Sequence, residues 1–288
     1  MEGAVDGLAA LFAVLVSPGD AVAYADPYYP SYHCMTVMSR AEEVLLPSLP
    51  ERGFLPDLDA VPAQVWNRVK VLVLNYPNNP TGAQAPRGFL QRAIDLAHEY
   101  HFAIVQDFAY AGLGVDAQQI SILSLPGAFD VAVEVCSLSK NVCDGRLACR
   151  FHRGQRRHCV SCEAVPLSNG FHGYVQHSRR GHCALLSDQS CVAELAERYA
   201  SRREIVAGGL REVGLDVFDS DGGIYAWVHA PEDQTGEQFA DMLLERASVA
   251  ALPGTCFGKV GKDYVRFSLL KSEDQLREAV RRVAAVLA

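Results

Sequence analysis

The sequence predicts an α/β protein in which a large domain built on a mainly parallel sheet precedes a smaller α+β domain. Three observations carry that expectation. Apolar runs and segments of helical period alternate through the first half of the 288 residues, as a parallel sheet with crossover helices requires. The runs are continuous rather than alternating, which is how strands covered on both faces read. Beyond Gly214 the alternation gives way to short strands beside single helices. The division is placed at 1–187 for the large domain and 188–288 for the small one.

Helices are predicted around 6–17, 86–101 and 190–213, and strands around 70–75, 102–106 and 131–136. The run Val71-Leu72-Val73-Leu74 is cut short by Pro77 and Pro80, each of which removes a backbone donor and restrains its neighbour. Asn75-Tyr76-Pro77-Asn78-Asn79-Pro80-Thr81-Gly82 is therefore a rigid polar loop at the carboxyl end of a strand, where open α/β sheets place their ligands. A bland turn needs one Pro or one Asn-Gly pair, so this density points to an amide held for a purpose. Val105-Gln106-Asp107-Phe108-Ala109-Tyr110 sets a carboxylate and a phenol just beyond a second strand. The third strand, Val131 to Cys136, runs into Ser137-Leu138-Ser139-Lys140, a lysine among small hydroxyl residues. Further on, Ile224-Tyr225-Ala226-Trp227-Val228 reads as a short strand and 235–246 as a helix. Tyr264-Val265-Arg266-Phe267-Ser268 sets one arginine in a strand-like run, and an amphipathic helix over 273–287 closes the chain.

Composition narrows the class. A hydrophobic content of 49% and a mean hydropathy of +0.04 fit a globular protein large enough for a full core. The longest apolar run, Leu8 to Val16, is too short to span a bilayer and no signal-peptide layout precedes it, so no membrane partner and a cytoplasmic location are expected. A net charge of −8 argues against a nucleic-acid partner.

An amide, a carboxylate with a phenol, a lysine and an arginine follow one another in this order, three of the four at strand ends. Singly, such residues cap turns or lie solvated on the surface. Together they resemble the class I aminotransferases, pyridoxal-phosphate enzymes of fold type I. That resemblance implies a fold type I large domain, pyridoxal 5'-phosphate as cofactor, an amino acid and a 2-oxo acid as substrates, and a homodimer. It implies that Lys140 tethers the cofactor and, once released, moves the proton at the substrate α-carbon. Asp107 matches the carboxylate that pairs with the ring nitrogen, Tyr110 and Asn79 the donors to the ring 3-hydroxyl. Arg266 matches the planar fork that grips the substrate carboxylate, a task lysine performs less well.

Three weaker positions carry two readings each. Tyr29, in Asp26-Pro27-Tyr28-Tyr29-Pro30-Ser31-Tyr32, either stacks on the cofactor or packs in the core. Gly3-Ala4-Val5-Asp6-Gly7 resembles the family's phosphate turn, with the backbone of Ala4 and Val5 facing the phosphate, or is plain helix capping. Ser137 adds a hydroxyl to that phosphate or simply caps its strand. Within the family, Asp130-Val131-Ala132-Val133-Glu134 leading to Lys140, and Gly53-Phe54-Leu55-Pro56-Asp57-Leu58, resemble the LL-diaminopimelate, aspartate and alanine branch. A carbon–sulfur lyase on the same fold and a non-catalytic remnant are the alternatives.

Two departures bear on activity. The family has a long segment ahead of the phosphate turn, whereas Met1 here sits almost on it, so truncation is expected. The segment 141–187 holds five of the nine cysteines, five of the nine histidines, seven arginines and no lysine. With Asp144 and Glu163 its charge is +5, leaving −13 on the remainder, and no helical or strand period survives across it. Cys159, Cys162, His152 and His158 suggest zinc, but a second pair at finger spacing is absent and no metal is expected. A reading-frame slip accounts for more. With suitable codons, removing one base after the Lys140 codon turns the next residues into Thr-Tyr-Ala-Met-Ala-Gly-Trp-Arg-Val-Gly-Phe. That string resembles what the family places after its lysine, including an arginine for the cofactor phosphate. The frame returns near Ala184 to Ser187. The expected result is a loose segment, an under-covered sheet and weak or absent catalysis.

Overall fold

The computed structural model describes residues 4–114, 119–137, 140, 150–154, 188 and 190–288. The chain opens with helix α1 (Ala4–Leu15), strand β1 (Ala21–Asp26), α2 (Ser31–Met38) and β2 (Glu42–Pro47). A four-residue helix α3 (Ala63–Trp66) leads to β3 (Val69–Asn75), α4 (Arg87–Tyr100) and β4 (Ala103–Phe108). The one-turn α5 (Ala128–Val131) precedes β5 (Ala132–Ser137) and β6 (Arg150–Gly154). Then come α6 (Ser190–Arg203), β7 (Tyr225–His229), α7 (Gly236–Ala247), β8 (Leu252–Pro253), β9 (Tyr264–Ser268) and α8 (Glu273–Leu287).

Local chemistry sets the helix ends. Pro86, extended, precedes the first turn of α4, and His101 stops it in the left-handed region at φ 60°. Thr235 with Gln238, and Ser272 with Gln275, form reciprocal capping boxes that start α7 and α8.

The large sheet has the order β2-β1-β3-β4-β5-β6, with β1 to β5 parallel and β6 antiparallel to β5. The strand order reverses at β1, leaving a crevice beyond the carboxyl ends of β1 and β3. Register places Asn75 opposite Asp107, and Phe108 opposite Cys136, so the polar strand-end residues fall along one line. Val71, Val73, Val105, Val133 and Val135 meet α1 and α2 on one face. Leu72, Leu74, Ile104 and Ala132 meet α4 and Trp66 on the other. Consecutive residues of β3 thus serve opposite cores, each buried aliphatic side chain contributing about 1.5–3 kcal/mol. A second, antiparallel sheet, β7-β9-β8, packs against α6, α7 and α8.

Several expectations change. The strands β1 and β2 carry no sequence expectation of their own. Ala21-Val22-Ala23-Tyr24-Ala25 is too poor in large apolar residues, and edge strand β2 too exposed, to show the buried-strand pattern. The helix predicted over 190–213 is interrupted by a π turn at Glu204–Gly208. Just beyond it Gly209 lies so close to α8 that a Cβ there would stand 2.6 Å from Val280. Within 141–187, where no strand period is legible, Arg150–Gly154 forms β6 because backbone pairing with the edge of β5 needs no side-chain pattern. Both faces of the sheet are covered by described residues, not left bare. The rest of 141–187, with Cys159, Cys162 and His158, lies outside the described residues.

Candidate active site

The loop after β3 is built from its own amides. Asn75 Nδ2 donates to the Asp107 carbonyl at 3.0 Å, and its Oδ1 accepts from the Asn79 backbone N–H at 2.9 Å. Asn78 Oδ1 takes the Thr81 hydroxyl at 2.9 Å, and Asn78 and Ala83 close the loop through their backbones. Gly82 turns it at φ +78°, where a Cβ would meet Ser220 and the Gly222 carbonyl at 2.7–2.8 Å. The loop is thereby packed against the segment 220–222 that leads into β7.

Asp107 is buried near the end of β4. Its Oδ2 accepts from the Tyr32 hydroxyl at 2.6 Å and its Oδ1 from the Ala109 N–H at 3.2 Å. Burial pushes the carboxyl up to about 6, while those two hydrogen bonds pull it back. Burial and the facing Asp107 push the Tyr32 phenol well above its ordinary value.

Arg266, on β9, reaches across from the small sheet. Its Nη1 donates to Asn79 Oδ1 at 2.7 Å, which fixes the amide so that Nδ2 points to the Tyr110 hydroxyl at 3.5 Å. The guanidinium lies 3.9 Å from the Tyr225 ring centre and 4.6 Å from that of Phe257. Among the described residues its buried Nε has no hydrogen-bond partner, and burial lowers the guanidinium's pKa, opposed by the nearby phenols. Burial, then Tyr225, pushes the Tyr110 phenol well up.

Four sequence-predicted residues, Asn79, Asp107, Tyr110 and Arg266, are thus drawn into one neighbourhood, the first, third and fourth by direct contact. Ser137 is buried at the end of β5, beside β4, and Lys140 follows it, half-buried. Tyr29 is half-buried and meets Tyr32 edge-on at 5.7 Å, so it touches the residue that touches Asp107. Ala4 and Val5 open α1, with Val5 43% exposed. The sequence did not single out Tyr32, Asn75, Tyr225 or Phe257. Tyr32 and Asn75 stand inside the quoted motifs and Tyr225 inside the strand read over 224–228, whereas Phe257 carries no local signal.

The whole chain has counterparts among known proteins. A family model for aminotransferase class I and II matches residues 1–283. The chain belongs to the class I and II aminotransferase family. This aminotransferase is 39% identical over 288 residues to the L-glutamine–4-(methylsulfanyl)-2-oxobutanoate aminotransferase of Bacillus subtilis, spanning 98% of the chain and 71% of that protein. It is 36% identical to the LL-diaminopimelate aminotransferase of Syntrophobacter fumaroxidans, over 98% of the chain and 73% of that protein. A solved structure of a probable N-succinyldiaminopimelate aminotransferase from Thermus thermophilus superposes with a TM-score of 0.93 at 33% identity, covering 99% and 77% of the two chains. Apo-BacF from Bacillus subtilis gives 0.92 at 32% identity, covering 99% and 76%. The fold is therefore that of the fold type I aminotransferases.

The aminotransferase's cofactor is pyridoxal 5'-phosphate. The residues present fit it. Among the described residues the oxygens of Asp107 accept hydrogen bonds only from neutral donors, which suits a buried carboxylate that pairs with a cationic group such as a protonated ring nitrogen. Among the described residues no group of three His, Cys, Asp or Glu is placed to hold a metal, and no helix is long and apolar enough to cross a membrane.

Proposed function

We propose that this aminotransferase moves an amino group between an L-amino acid and a 2-oxo acid with Lys140 as the proton-moving residue. The observation that supports this most is the convergence of Asn79, Tyr110 and Arg266 next to the buried Asp107. When bound, pyridoxal phosphate supplies an electron sink that acidifies the substrate's α C–H. Asp107 would hold the ring nitrogen protonated, and Asn79 Nδ2 with the Tyr110 hydroxyl would face the ring 3-hydroxyl. Ser137 and the first N–H groups of α1, at Ala4 and Val5, would hold the phosphate, with Tyr29 against the ring. Arg266 would bind the α-carboxylate, and Lys140 Nζ would take and return the α-carbon proton.

The substrate pair proposed is an amino-dicarboxylic acid of the diaminopimelate kind and a 2-oxo acid, supported by the names of the relatives at 36% and 33% identity. A homodimer, a cytoplasmic location and the division at 187/188 are part of the same proposal. Turnover of an amino-acid panel with 2-oxoglutarate tests it. Any exchange by wild type, weak as the segment 141–187 leads one to expect, should vanish in Lys140→Ala; release of pyruvate and ammonia from a cysteine conjugate would make the protein a lyase instead. Loss of exchange in wild type, regained only when the segment after Lys140 is restored by the one-base correction, would mark a remnant.

A further inference from the structure

We propose that Asp26, at the end of β1, is a positioning residue for Arg266 that acts through the loop carrying Phe257. The proposal rests on reading Arg266 as the substrate-carboxylate fork. The Asp26 side chain is 3% exposed and belongs to the large sheet, yet both its oxygens are spent on the small domain's loop. Oδ2 accepts from the Lys259 N–H at 3.1 Å and Oδ1 from the Val260 N–H at 3.2 Å. Two residues further on, the Tyr28 N–H donates to the Phe257 carbonyl at 2.7 Å. Between these bonds stands Gly258 at φ +119°, where a Cβ would lie 2.1 Å from Asp26 Oδ1. Carboxylate and loop therefore meet backbone to side chain, with no room for adjustment.

What this stitch holds is one wall of the arginine's slot. The guanidinium of Arg266 lies between Tyr225 at 3.9 Å and Phe257 at 4.6 Å. Tyr225 is fixed by β-pairing, since it and Arg266 sit on adjoining strands β7 and β9. Phe257 sits in a loop, braced edge-on by Trp227 at 5.9 Å and tied down at its carbonyl and at the residues just after it. Asp26 supplies two of those ties. Burial raises its carboxyl and the two backbone N–H groups lower it again, as expected of an acid kept for its acceptor oxygens. A group that only joined the domains would leave the arginine's affinity untouched; a positioning residue would not.

The test measures binding of 2-oxoglutarate to the cofactor-loaded protein by calorimetry, beside the unfolding temperature. Asp26→Asn keeps shape but sets an amide N–H₂ against a backbone donor, and should weaken binding about tenfold. Phe257→Leu approaches the same wall from its far side, leaves the Asp26 bonds in place, and should weaken binding similarly. Arg266→Lys should weaken it at least as much, and the double variant Asp26→Asn/Arg266→Lys should be no weaker than Arg266→Lys alone. Additive losses, or a lowered unfolding temperature with unchanged affinity in Asp26→Asn and Phe257→Leu, would overturn the proposal. If Arg266→Lys itself binds as wild type does, the fork assignment fails and the positioning role falls with it. If only Arg266→Lys weakens, the fork stands and the positioning role alone is refuted.

Discussion

The Tyr32 hydroxyl donates a 2.6 Å hydrogen bond to Asp107 Oδ2, joining α2 to the end of β4 beneath the crevice. The bond stabilises the ionised acid, which burial disfavours, so the two side chains set one another's proton affinity. In Tyr32→Phe the carboxyl should rise above about 6, because the first of its two compensating bonds is gone. The Asp107 carboxyl ¹³C resonance in cofactor-free protein reports this directly. An unmoved titration midpoint would show that the phenol does not govern the acid. The variant should also lose about 1–3 kcal/mol of stability, the usual worth of a buried bond to a charged group.

Asp107 itself makes the cofactor-free protein sensitive to pH. Its native carboxyl sits at about 6 against an ordinary 3.8, so the native state holds a proton more tightly than the unfolded chain does. Stability from this group is therefore full below the ordinary value and falls as pH rises through about 6. The loss amounts to about 3 kcal/mol at most. Asp107→Asn removes that titration, so urea midpoints of the two proteins should diverge in the variant's favour between acid and neutral pH. Parallel profiles would contradict the burial of an acid that its two hydrogen bonds compensate only in part. Cofactor binding, by setting a cation beside the acid, should stabilise wild type at neutral pH more than it stabilises the variant.

Gly82→Ala should cost about 2–4 kcal/mol, combining a positive φ with contact against Ser220 and the Gly222 carbonyl. The same loop places Asn79, so the amide should lose its bond to Arg266 as the protein loosens. A thermal melt within a degree of wild type would mean that the loop yields easily.

Much of this site was legible because a parallel sheet writes its active residues at strand ends. Val71 to Leu74 could be read as doubly covered, and the two prolines marked where the strand stops. Asp107 and Lys140 stood out by following apolar runs. The strands β1 and β2 were not legible, since Ala-rich and edge sequences lack a strong pattern. Tyr225 and Phe257 reach Arg266 only through the pairing of β7 with β9 and a loop stitched to Asp26, relationships with no local signature. The π turn was hidden for a similar reason, since the close approach of α8 to Gly209 just beyond it has no local signature.

Arg266 already hands one N–H to the Asn79 amide oxygen. The guanidinium's other N–H donors stand beside that contact, so an arriving carboxylate can be gripped without displacing the amide. A full negative charge makes a charge-assisted pair there, whereas an ester or carboxamide offers only a neutral acceptor. The resting contact thus ties the arginine's orientation to the amide's, so a change made at either residue is felt at the other.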